Sequence, residues 1–166
     1  MVSLLAVVAC GKNNKSGKSN PGSTQNPVIG QPIPGIGNAG SVDALVNEFI
    51  GRVNERRQAI GLNPVVRDGA LEQVALQSAA NLAQYPNANL SICRSLALGT
   101  RGRFCRAIMT EGGLQPVSIL GEMLRYENVR RTNPVIRAPL ATRAGVGIAQ
   151  DFRGQFTWVL VLSSHN

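Results

Sequence analysis

Residues 155–162, Gln-Phe-Thr-Trp-Val-Leu-Val-Leu, constrain this chain more than any other stretch. Successive side chains of a strand point to opposite faces. Phe156, Trp158, Leu160 and Leu162 therefore face one way, and Val159 and Val161 the other. A strand apolar on both faces needs cover on both. That argues for a sheet held between two layers of helix. Residues 144–149, Ala-Gly-Val-Gly-Ile-Ala, read as the neighbouring strand, and the polar turn Asp151-Phe152-Arg153-Gly154 joins the two into a hairpin. Helices to cover them lie upstream. Ser41 is placed to cap a first one, in which Val42, Leu45, Val46, Phe49 and Val53 recur at helical spacing until Gly61 breaks the pattern. Asp68 is placed to cap a second, whose Leu71, Val74, Ala75, Ser78, Ala79 and Leu82 make a face rich in small residues. Pro116 suits the first turn of a third, carrying Val117, Leu120, Met123 and Leu124.

The chain has 166 residues, 43% hydrophobic and 16% charged, which is enough to bury one core with a tail appended. The tail is at the front. Residues 1–9 are a short apolar stretch, too short to span a bilayer as a helix but long enough for the apolar part of a secretory signal. Val7-Val8-Ala9-Cys10 resembles the lipobox of bacterial lipoproteins, although the basic residues that usually open such a signal are missing. The resemblance implies removal of residues 1–9 and acylation of Cys10. Several acyl chains would suffice for stable anchoring, at roughly 0.8 kcal/mol for each buried CH₂. Residues 10–40, with Lys12, Lys15 and Lys18 among Asn, Ser, Gly and Pro, hold too little apolar content to fold and read as a flexible tether. The expected location is the bacterial cell envelope, with the domain lipid-anchored to a membrane. Export also permits disulfides, and with Cys10 acylated the remaining Cys93 and Cys105 form an even pair.

Within residues 41–164 the order of short signals resembles the CAP superfamily, the SCP domain of cysteine-rich secretory, antigen 5 and pathogenesis-related proteins. Asn54-Glu55-Arg56-Arg57, Gly61-Leu62-Asn63-Pro64-Val65 and the Leu71, Ala75, Ala79, Leu82-Ala83 series match its opening. Pro139, Gly145-Val146-Gly147-Ile148-Ala149, Gly154 and Trp158-Val159-Leu160-Val161 match its end. The resemblance implies an α+β fold: an αβα sandwich of CAP/SCP type, three main helices around a small, mainly antiparallel sheet ending in a β-hairpin.

In that family a central cleft commonly carries two His and two acidic residues able to bind a divalent metal. Carried over position by position, the His positions fall on Leu90 and Thr132, and the segment nearest the family's Gly-Glu-Asn element is Arg106-Ala107-Ile108. Glu122 and Glu127 remain on the third helix, but two carboxylates without imidazole make a poor zinc site. The resemblance thus implies a CAP fold with its metal site erased and no cofactor. Other catalytic centres find little support. The one histidine, His165, stands beside Ser163 and Ser164 at the chain end, with no third group to complete a triad. Cys93 or Cys105 as a nucleophile lacks a base, and Gly145-x-Gly147 sits in a hairpin strand instead of ahead of a helix. A non-catalytic binding or envelope-associated module is the expected function, with a hydrolase or peptidase using an unrecognised site as the alternative.

Charge leaves one more option open. The net charge is +8, and every Arg lies at Arg52 or beyond. Arg94, Arg101, Arg103 and Arg106 crowd the segment around the two Cys, and Arg130 and Arg131 follow the third helix, with Arg125, Arg137 and Arg143 nearby. Arg forks suit phosphate and carboxylate. If the groups share a face they would bind an anionic envelope lipid or wall polymer; a solvated basic surface is the alternative. Aromatic content of 4% argues against a nucleic-acid partner.

Overall fold

The computed structural model describes residues 7–8, 39–86, 104–130 and 134–164. Helix α1 (Ala39–Gln58) is followed by β2 (Val66–Arg67) and α2 (Gly69–Gln84). Then come β3 (Cys105–Gly112), α3 (Pro116–Arg130) and the hairpin β4 (Arg143–Gln150) and β5 (Phe156–Ser163). The sheet order is β3-β5-β4-β2, with the two-residue β1 (Val7–Val8) joined antiparallel to β3 at its outer edge. All pairings are antiparallel except β2 with β4. Three helices enclose a mixed, mainly antiparallel sheet in an αβα sandwich.

The two faces of β5 divide the core as its sequence demands. Trp158, Leu160 and Leu162 join Val46, Phe49, Val53, Ile119 and Met123, the apolar stripes of α1 and α3. Val159 and Val161 join Leu71, Ala75, Ala79 and Leu82 of α2, with Ala107 and Met109 of β3. Trp158 is fully buried, its ring 5.4 Å from that of Phe49 and its Nε1 donating to Gly113 O at 3.0 Å. An indole in this position needs both apolar neighbours and an acceptor, and it has both.

Local signals set the element ends. Asp68 caps α2, its Oδ1 accepting from the amides of Ala70 and Leu71. Helix α1 closes in a Schellman motif: Leu62 N–H donates to Arg57 O, Gly61 N–H donates to Gln58 O, and Gly61 takes φ +77°. At its front α1 begins two residues ahead of Ser41, which therefore lies inside the first turn instead of capping it. In the hairpin turn Asp151 Oδ1 accepts from the amides of Arg153 and Gln155, both at 2.8 Å.

Helix α2 lies almost on the backbone of β4. A Cβ at Gly145 would meet Leu71 C at 2.2 Å, and one at Gly147 would meet Ala75 C at 2.2 Å. The glycine pair and the small face of α2 are two halves of one contact. On the surface, Arg67 of β2 pairs with Glu72 of α2 and with Asp43 of α1, which tethers both helices to the edge strand. These bonds, Glu72 foremost, hold the guanidinium pKa above its ordinary value.

Beside the two-residue β1 and β2, the sheet contains one long strand absent from the sequence expectation. Residues 105–112 fall in the weak middle of the family resemblance, and they form β3, paired along its length with β5.

Candidate functional site

Two charges are buried at one end of the sandwich, and both continue an apolar helical stripe. On α1 the series Val46, Phe49, Ile50, Val53 leads one turn on to Arg57, and on α3 the series Ile119, Leu120, Met123 leads one turn on to Glu127. Arg57 is 0% exposed and Glu127 4%. They meet the segment after α3 from opposite sides.

Arg57 donates from Nη1 to Ile136 O at 2.8 Å and Ala138 O at 2.9 Å, from Nη2 to Ala141 O at 3.1 Å, and from Nε to Asn63 O at 2.9 Å. Four carbonyl dipoles surround one cation. Desolvation by burial pushes its pKa below the ordinary arginine value. Glu127 does the complementary work. Its Oε1 accepts from the amides of Val135 and Ile136, and its Oε2 from Arg137 Nε at 3.2 Å. Ile136 thus has its N–H on a carboxylate and its C=O on a guanidinium. Asn54, one turn before Arg57, exchanges two side-chain hydrogen bonds with the Val65 backbone, as a strand neighbour would. Residues 134–141 have little regular structure of their own, so these charged groups hold them in place.

The clamp presents one further residue. Pro134, at the start of the clamped segment, accepts from Arg106 Nη1 at 2.8 Å. Arg106 is half-buried on β3, and its guanidinium carbon lies 5.1 Å over the ring centroid of Phe104. Phe104 is itself fastened to the end of β5. Its N–H donates to Ser164 Oγ at 2.9 Å, its carbonyl accepts from Ser164 N–H at 3.0 Å, and Ser163 Oγ donates to the same carbonyl at 2.9 Å. Among the described residues, Arg106 has no carboxylate partner.

The residues singled out from the sequence divide accordingly. Arg106 reaches the segment that begins two residues beyond Thr132. Arg130 is the last residue of α3. Leu90, Cys93, Arg94, Arg101, Arg103, Arg131, Thr132 and His165 lie outside the described residues, as do Cys10 and the tether up to residue 38. Cys105, half-buried at the start of β3, has no disulfide partner among the described residues. Arg125 and Arg137 do not add open charge to a basic patch, because they pair with Glu122 and Glu127. Glu122 and Glu127 do not form a carboxylate pair: the first binds Arg125 on the surface, and the second is committed to the clamp. Sequence reasoning overlooked the role of Arg57 and Glu127, although a charge standing on an apolar stripe at helical spacing was there to be read.

A divalent ion does not suit this donor set. Both Glu127 oxygens already accept from N–H groups, and the cation beside the carboxylate is Arg137. Among the described residues no three His, Cys, Asp or Glu side chains gather as metal ligands.

No family model matches the chain, and no curated protein matches it. Solved structures do. An outer surface protein from Borrelia burgdorferi superposes with TM-score 0.59 at 14% identity, covering 72% of this chain and 92% of that one. An extracellular SCP-domain protein from Bacillus anthracis superposes with TM-score 0.52 at 16% identity, covering 72% of this chain and 40% of that longer one. Identities this low speak for architecture alone. In architecture, the chain has the CAP/SCP-like fold.

Proposed function

We propose that the protein is an exported, lipid-anchored domain that works by binding at the cell envelope and not by catalysis, its CAP/SCP-type scaffold having lost the metal site. One observation carries this reading. At the end of the sandwich where β3 meets the segment after α3, the two buried charges, Arg57 and Glu127, are used up in holding the chain. Glu127 grips amides and Arg137, and Arg57 grips carbonyls. A general base must come within hydrogen-bond reach of a substrate proton, and Glu127 is buried with three N–H donors already on its carboxylate. The apolar segment ending in Val7-Val8-Ala9-Cys10 and the polar tether behind it support export and anchoring. So do the outer-surface and extracellular proteins that share the fold. Cys93 and Cys105 belong to this reading as a disulfide.

The test is mass spectrometry of the protein extracted from membranes of an expressing bacterium, with Cys10→Ser alongside. Acyl chains on an N-terminal Cys10, and release of the Cys10→Ser variant into the soluble fraction with its fold intact, are the expected results. An exported chain carrying an unmodified Met1 terminus would defeat the anchoring.

A further inference from the structure

Five arginines among the described residues are spent. Arg57 is enclosed by carbonyls, and Arg52, Arg67, Arg125 and Arg137 each have a carboxylate. Arg106 differs from all of them. It is half-buried, meets no carboxylate among the described residues, and uses one Nη for Pro134 O. One guanidinium face lies on Phe104. Both supports are rigid. Phe104 is tied to β5 by three hydrogen bonds through Ser163 and Ser164, and the chain after Pro134 is clamped by Glu127 and Arg57. Among the described residues, the edge formed by Nε and the second Nη meets no acceptor. That edge of a guanidinium offers two parallel N–H groups spaced for two oxygens of one oxyanion.

We infer that Arg106 is the anchor of an oxyanion-binding site, held ready by Phe104 and Pro134, that receives a phosphate group through the Nε–Nη edge. A phosphate, whether free or in a diester, presents two such oxygens to an arginine fork and stays ionised at neutral pH, in keeping with a protein of net charge +8. The site rests on the binding-module reading and supplies its ligand class. The phosphate is either free or carried by a lipid headgroup, and the two sources separate by experiment. Arg143, at the same end of the sheet, does not join the site. Across the strands Arg106 stands level with Leu162 and Ala144, one row from Arg143, so Arg143 belongs to the opposite face.

The experiment uses the full chain with Cys10→Ser, so that no acyl anchor contributes. Inorganic phosphate is titrated while the Arg106 Nε–H resonance is followed, in parallel with Arg106→Gln and with Arg153→Gln, a change of equal charge at the distant hairpin turn. A saturable shift of the Arg106 signal is expected. Binding should weaken roughly tenfold or more in Arg106→Gln, which converts to about 1.4 kcal/mol or more, and be unchanged in Arg153→Gln. Vesicles of phosphatidylglycerol in phosphatidylcholine, against phosphatidylcholine alone, identify the source. Arg106-dependent sedimentation that phosphate displaces assigns a headgroup, whereas phosphate binding without sedimentation assigns a free or polymer-borne phosphate. No saturable shift at Arg106, or equal weakening in the two variants, overturns the site. If Arg106→Gln fails to fold, the wild-type resonance alone decides. An unacylated Cys10 in the exported protein would refute the anchor and leave this result untouched.

Discussion

Replacing Gly147 by Ala adds one methyl group where the fold has no room for it. The new Cβ would lie 2.2 Å from Ala75 C and 2.3 Å from both Ala75 O and Leu76 N, all backbone atoms of α2. Carbon atoms rest at about 3.5–4.0 Å, so α2 must retreat from β4 by more than 1 Å. No rotamer change relieves a clash with backbone. Retreat loosens the whole smaller core, in which Leu71, Ala75, Ala79 and Leu82 cover Val159 and Val161. A radial gap of 0.5–1 Å forfeits roughly a quarter to a half of each contact it opens. The expected cost is about 3 kcal/mol, at the upper end for overpacked cores. Gly51→Ala supplies the opposite sign. Gly51 is exposed on α1, an added methyl there has nothing within 4 Å, and Ala is preferred by roughly 0.8–1.0 kcal/mol. Urea unfolding followed by Trp158 fluorescence measures both. A Gly147→Ala protein within about 0.5 kcal/mol of the parent, well inside ordinary surface substitutions, would refute the close-contact argument.

Arg57→Leu should destabilise by about 3–5 kcal/mol, since four carbonyls lose their donor, and Arg57→Lys by less; denaturant titration ranks the two. Glu127→Ala leaves the Val135 and Ile136 amides without their acceptor and should cost about 2–4 kcal/mol, with amide exchange at those two residues accelerated. Asn54→Ala removes both bonds to Val65 and should cost about 1–2 kcal/mol in the same assay. A Cys93–Cys105 disulfide should appear as a single cross-linked peptide in a non-reducing digest of exported protein; two alkylatable thiols in that material would rule it out.

The hairpin, the Asp68 cap and the Gly61 terminus were legible because each rests on residues close together in sequence. The two-layer cover was legible too, because β5 is apolar on both faces and needs cover on both. Strand β3 was not. Its Ala107, Ile108 and Met109 form a short apolar run between Arg106 and Glu111, and Thr110 is fully buried although its side chain is polar. Pairing with β5 decides that segment, and pairing leaves no periodic trace in the strand itself. The buried charges were hidden for another reason. Arg57 and Glu127 are residues that normally mark a solvated face, and what buries them is a segment distant in sequence whose carbonyls and amides they satisfy. The residues that carry the family resemblance near Asn54 and Gly61 are scaffold for the same reason: Asn54 holds Val65, Gly61 ends α1, and Arg57 holds the loop.

Calorimetric titration of the purified chain with Zn²⁺, Mg²⁺ and Ca²⁺, with elemental analysis of the same preparation, tests the account most directly. A corner whose carboxylate is committed to two amides and to Arg137 should take up no stoichiometric metal, and Glu127→Ala should leave the heats unchanged. Stoichiometric binding at micromolar affinity or tighter, lost in Glu127→Ala, would show instead that the metal site survives and that catalysis belongs back in the account.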